Sequence, residues 1–257
     1  SIKKQIVISR SDIRIALKKI GLKKGDLVMM HGDASVSSQL KTGNKDSKQL
    51  IVFKEILNYL GPKGTLIVPT FTPSFTKRKT FNVSSTKSEI GLFSEFFRKM
   101  RGVKRTSHPI FSVAVKGKYS NLFLKSNLND CFGKKTIFDL LYKLNGKVVC
   151  FGCGFNEITF TLYVEQFANV KYRYFKNFTG KISKKKITTK YFVRDLSRKT
   201  DLNLFLLRDE MNKRKKLKTA PLGRLAIHMV RSRVYFFEAL RLLKKNKYGL
   251  IEERFDV

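Results

Sequence analysis

Tryptophan is absent from this 257-residue chain, and cysteine and histidine occur three times each, methionine and proline five times each. Three cysteines (Cys131, Cys150 and Cys153) cannot build a disulfide framework. Cys150-x-x-Cys153 has no second cysteine pair and no nearby histidine, so no metal site is expected. Long hydrophobic runs are also missing. The longest, such as Val148–Gly154, fall far short of a bilayer span. The N-terminal SIKKQIVISR has no apolar core leading to a cleavage site, so no signal peptide is read, and a cytoplasmic location is expected.

Acidic residues are scarce. Nineteen Asp and Glu stand against 54 Lys and Arg, a net charge of +35 (54 − 19). No carboxylate lies between Glu55 and Glu89, nor between Glu95 and Asp130, while those stretches carry Lys77, Arg78, Lys79, Lys87, Arg98, Arg101 and Arg105. A site lined by them attracts anions. The basic clusters Lys184–Lys186 and Lys213–Lys216 do not interleave with aromatics, and no zinc-finger or RNA-recognition signature occurs. Nucleic acid therefore ranks below a small anionic molecule as partner.

What is present is a foldable chain. Hydrophobic residues make up 42% and aromatics 12%, which excludes a disordered polymer despite the charge. One domain over 1–257 is expected, with an α/β core over 1–170 and a β-hairpin and C-terminal helices over 171–257. The patterns predict helices from Ser9 or Ser11 to Ile20, over Lys48–Leu60, Ser88–Met100, Thr136–Leu144 and Asn156–Ala168. Buried strands are predicted at Leu27–Met30, Gly64–Pro69, Ser112–Val115 and Lys147–Phe151. The alternation predicts a three-layer α/β/α fold with a mostly parallel central sheet. Its site should lie in loops at strand C-terminal ends. Beyond residue 170 the pattern predicts a hairpin, Tyr172–Phe178 with Ile187–Val193, then helices over Asp201–Met211 and Leu225–Lys244.

Three loops stand out. His31–Ser38 (HGDASVSS) is small and polar after the first strand, and Thr106–Pro109 (TSHP) carries His108. Gly152-Cys153-Gly154 could set backbone N–H groups on a phosphate, but it lacks a dinucleotide fingerprint and reads first as a tight turn. His228 reads as a structural helix residue.

In order along the chain, Gly25–His31 (GDLVMMH), Gly61–Thr72 (GPKGTLIVPTFT), Gly91–Arg98 (GLFSEFFR), Gly102–Ser112 (GVKRTSHPIFS), Gly152–Glu165 (GCGFNEITFTLYVE) and Gly223–Leu243 together resemble the aminoglycoside 3-N-acetyltransferase-like acyltransferases. The resemblance implies transfer of an acyl group from a coenzyme A thioester, acetyl-CoA or a longer acyl-CoA, to a sugar amine. It implies CoA contacts at His31, Asp33, Ala34, Ser35, Ser107, His108 and Ser112. Two departures matter. The family's catalytic histidine aligns with Leu162, which cannot accept a proton, while Glu165 is kept. The loop that is acidic in drug-modifying members is basic here, PSFTKRKTF over Pro73–Phe81.

Charge logic then favours a nucleotide-linked amino sugar for surface polysaccharide synthesis as acceptor, bound by Thr72, Phe75, Lys77, Arg78, Lys79, Thr161, Arg173 and Arg194. The alternatives are an aminoglycoside acceptor, and an inactive or polyanion-binding relative. Glu165, helped by His108 or His31, is the expected catalytic group; the competing reading pairs Glu165 with Arg173 as structure. A homodimer is the default assembly for such an enzyme.

Overall fold

The computed structural model describes residues 7–41, 47–197 and 199–252; the first six residues, part of the stretch read for a leader, lie outside it. The three parallel strands at the centre are β1 (Leu27–Gly32), β2 (Thr65–Pro69) and β5 (Lys147–Phe151). Nearly every residue in them is buried, as expected of strands covered on both faces. Side chains alternate between two cores. Val28, Met30, Leu66, Val68, Val149 and Phe151 enter one. Leu27, Met29, Ile67, Val148 and Cys150 enter the other.

The helices supply the outer layers for the same reason. α1 (Arg10–Lys19), α3 (Lys48–Leu60) and α4 (Leu92–Lys99) set Ile13, Leu17, Phe53, Ile56, Phe93 and Phe97 into the first core. α6 (Ile137–Lys143), α7 (Phe160–Ala168) and α9 (Ser232–Lys245) set Phe138, Leu141, Val164, Tyr235 and Ala239 into the second. The short helices α2 (Ser35–Ser38) and α5 (Ser120–Leu124) follow β1 and β4, and α8 (Phe205–Lys213) precedes β8. Capping starts α1: Ser9 and Asp12 exchange hydrogen bonds in a capping box.

Among the described residues the main sheet has seven strands in the order β3-β4-β2-β1-β5-β9-β8. Its flanks are antiparallel: β3 (Lys104–Arg105) and β4 (Val113–Gly117) on one side, β8 (Lys218–Leu222) and β9 (Leu225–Arg231) on the other. The expected three-layer architecture is present, with its parallel portion confined to β2-β1-β5. A separate hairpin joins β6 (Arg173–Ile182) to β7 (Lys185–Arg194), with Ser183 in the left-handed region at the turn. No described helix is long and apolar enough to cross a membrane.

One element differs in kind. Leu225–Lys244 was expected as a single helix, but its first seven residues form β9 and the helix starts at Ser232. Gly223, at φ +63, turns the chain from β8 into β9, and β9 completes the sheet beside β5. His228 therefore sits on a strand, its Nδ1 2.9 Å from Thr219 Oγ1.

Candidate active site

The parallel core brings the C-terminal ends of β1, β2 and β5 to one rim. Chain excursions leave β1 toward β2 on one side and β5 lies on the other, the switch-point arrangement at which open α/β sheets bind ligands. A cleft of about 400 Å³ opens there. His31, Gly32 and Asp33 come from the end of β1, Pro69 and Phe71 from the end of β2, and Ile90 and Ser94 from the approach to α4 and its first turn. Gly152, Cys153, Gly154, Glu157 and Thr159 come from the turn after β5. Gly152 holds φ +75, which a side chain would strain, and a Cβ there would also strike Val36.

His31 lies at the cleft floor. It is buried, and its Nε2 has no hydrogen-bond partner. Burial pushes its imidazole down to about 4, so it is neutral at physiological pH. Asp33 and Glu157 are exposed at the mouth, Asp33 also accepting from the Ser35 N–H at 2.7 Å. No Lys or Arg lines the cleft among the described residues, although the chain carries +35. Its local charge is thus opposite to that of the whole molecule.

His31 and Asp33 are the expected site residues that the fold brings together. Ala34 and Ser35 follow them into the start of α2 without lining the cleft, and Ser107 is half-buried elsewhere. His108 is in the interior. Its Nδ1 accepts the backbone N–H of Ile110 at 3.2 Å and of Phe111 at 3.0 Å, which leaves the proton on Nε2, 3.3 Å from Thr189 Oγ1. Burial holds this imidazole down to about 4 as well, with Asp130 pulling the other way.

Ser112 is fully buried and shares Arg105 with Thr70. The Arg105 Nε donates to Ser112 Oγ at 3.1 Å and to Thr70 Oγ1 at 3.2 Å. Both His108 and Ser112 therefore hold the walls of the fold, and neither reaches the cleft. Thr72 donates to the Pro109 carbonyl at 2.5 Å, Phe75 lies packed under Gly180, and Thr161 meets Tyr235 OH at 2.5 Å.

The expected cations do not gather either. Lys77, Arg78 and Lys79 are exposed away from the cleft lining, and Arg194 pairs with Asp201 at the surface. Arg173 is buried against Glu165, Nε to Oε2 at 2.7 Å, and Tyr172 OH donates to Glu165 Oε1 at 2.9 Å. Glu165 is wholly buried; burial raises its carboxyl above the ordinary range while Arg173 and Tyr172 oppose the shift. The structure thus matches the pairing of Glu165 with Arg173.

Glu157, Thr159 and Ser94 were missed from the sequence. Glu157 had a usable signal: it lies just after the glycine turn at the C-terminal end of a buried parallel strand. No cluster of three or more His, Cys, Asp or Glu suited to a metal occurs among the described residues.

A family model described as aminoglycoside 3-N-acetyltransferase matches residues 29–244. Aminoglycoside N(3)-acetyltransferase III of Acinetobacter baumannii is 22% identical over 181 residues, covering 63% of this chain and 62% of the relative. The SPbeta prophage-derived aminoglycoside N(3')-acetyltransferase-like protein YokD of Bacillus subtilis is 24% identical over 174 residues, 59% of this chain and 62% of that protein. Both matches therefore cover less than two thirds of the relative's length. Two solved structures share the fold. The apoenzyme of aminoglycoside acetyltransferase AAC(3)-IVa superposes with TM-score 0.79 at 21% identity, over 96% of this chain and 93% of that one. AAC-IIIb in binary complex with CoASH gives 0.80 at 17% identity, over 93% and 97%.

Proposed function

Because this chain belongs to the aminoglycoside 3-N-acetyltransferase family, whose members transfer acyl groups, we propose that it moves an acetyl group from acetyl-CoA to an amine of a polycationic amino sugar. The observation that carries this reading is the cleft's charge. Asp33 and Glu157 stand at its mouth with no Lys or Arg in the lining. Such a surface favours the ammonium groups of an acceptor. The nucleotide-sugar expectation rested on Lys77–Lys79, Arg173 and Arg194, none of which lines the cleft.

The cleft also suits a co-substrate. The buried, unpartnered His31 Nε2 needs a hydrogen-bond partner, and beside Gly154 a Cβ would meet nothing within 4 Å. The Gly152–Gly154 turn, which lines the cleft, would hold the thioester end of CoA, which supplies an activated acyl carbonyl when bound. Asp33 and Glu157 orient the acceptor's ammonium groups and leave one nitrogen to enter uncharged. His31 is the imidazole in the cleft lining that could take the proton which that nitrogen loses on attack, the role Leu162 cannot fill; burial, which lowers it to about 4, makes it a weak acceptor.

The test is an acceptor panel with acetyl-CoA, following released thiol. Gentamicin or apramycin should turn over, with acceptor KM rising as salt screens the carboxylates. Turnover of a nucleotide-linked amino sugar with none of the aminoglycosides would overturn the reading.

A further inference from the structure

A second hollow lies apart from the cleft. It is a groove of about 1090 Å³ at the other end of β2, where Leu66 lies, whereas the cleft takes Pro69 at the strand's far end. The two share no lining residue. The groove runs between α3 and the turn leaving α4. Its floor is apolar: Leu57 and Met100, both half-buried, lie over the wholly buried Leu66.

The rim is cationic. Arg101 and Lys116 line the groove, and no carboxylate does among the described residues. Lys116 is held in place, its Nζ donating to the Arg101 carbonyl at 3.0 Å. Like charges around one hollow repel each other, and an anion placed among them offsets that repulsion. A concave apolar space of this size takes a small molecule. A flat bilayer would instead be met by protruding apolar side chains, whereas Leu57 and Met100 are half-buried.

We propose that this groove is a second binding site, for a single-chain amphiphile with an anionic head, namely a long-chain carboxylate. Its alkyl chain lies over Leu57 and Met100, and its head meets Arg101 and Lys116. The proposal is independent of the acyl-transfer reading, because the groove contributes nothing to the cleft.

Calorimetric titration with octanoate, decanoate and dodecanoate, each below its micelle concentration, tests it. Affinity should rise about fourfold per added methylene, the worth of burying one. Dodecanol should bind at least fivefold more weakly than dodecanoate. Arg101→Glu, at an exposed position, should weaken dodecanoate by roughly fivefold or more. Met100→Glu should abolish the chain-length dependence, and Leu57→Gln gives a second apolar-floor variant should that protein fold poorly. Affinity independent of chain length, equal binding of dodecanol, or no effect of Arg101→Glu would each overturn the proposal. So would association with phosphatidylglycerol vesicles without binding of the free carboxylates, which would assign the charge to a membrane surface.

Discussion

His31 combines two properties that oppose each other in an ordinary core: a polar ring nitrogen and almost complete burial without a partner. A buried unpaired polar atom costs about 1–3 kcal/mol, so the fold keeps it at a stability disadvantage. It lies on a cleft that also holds Asp33 and Glu157, and its proposed role there is to accept the proton of the attacking amine. We expect His31→Gln to lower kcat by about 10²-fold or more while leaving the KM for acetyl-CoA nearly unchanged. Glu157→Gln should instead raise the acceptor KM with a smaller change in kcat. Steady-state kinetics on both variants check the division of roles; an unaltered kcat in His31→Gln removes that residue from proton transfer. His31 and Asp33 were legible in the sequence because a buried strand visibly breaks into a small polar loop. His108 sits in an equally suggestive loop, but its ring is turned inward by two backbone N–H groups, a contact that no local pattern announces.

Among elements, the junction of α7 with β6 decides how Glu165 is used. The carboxylate comes from the helix, and Arg173 and Tyr172 from the strand and its approach, so their contact ties two elements together inside the core. Removing one member of a buried ion pair costs about 3–5 kcal/mol, since the other is left charged and unpaired. Glu165→Leu should therefore lower the urea midpoint strongly, and adding Arg173→Met should recover much of the loss. Activity per folded molecule should survive in the double variant; its disappearance would return Glu165 to the chemistry. Arg105 performs a comparable task on the other side of the cleft. It donates to Thr70 O at 2.7 Å and to the Thr86 carbonyl, and its guanidinium lies 4.8 Å from the Phe81 ring centroid. Burial, aided by Arg98, lowers it to about 10, where it stays charged at neutral pH. Hence the loop before α4, which brings Ile90 to the cleft, is anchored to the end of β2. The strand read as helix, β9, and its unassigned neighbour β8 flank the sheet. A seven-residue run that packs mainly through Ile227, Met229 and Val230 carries too little periodicity to separate strand from helix until β5 lies beside it.

Across the whole molecule, histidine burial sets the response to acid. His31 and His108 are both held down to about 4 from an ordinary 6.5, mainly by burial. The unfolded chain takes up those protons near 6.5 and the folded chain only near 4. Their neutral burial therefore favours no loss of stability above about 6.5, and stability falls as pH drops from there toward 4. Each histidine contributes up to about 1.4 kcal/mol per pH unit in that window. Glu95, held at about 2 chiefly by Arg98, keeps its charge in the folded chain, while the unfolded chain takes up its proton near 4.5, so it adds to the fall only at the acid end of that window. Urea midpoints from pH 7 to pH 5 should decline steadily, and His108→Gln should flatten the decline without abolishing it, since His31 and His228, lowered in the same direction, remain; an unchanged slope would assign it to other groups. By itself the sequence determined the layered α/β architecture, its parallel core and the rim where chemistry would sit, because hydrophobic periodicity and glycine turns are local signals. Only tertiary structure decided the charge of the site. Lysines and arginines adjacent in sequence fan out to solvent or pair in the interior, while Asp33 and Glu157, 124 positions apart (157 − 33), meet across one cleft because β1 and β5 are neighbours in the sheet.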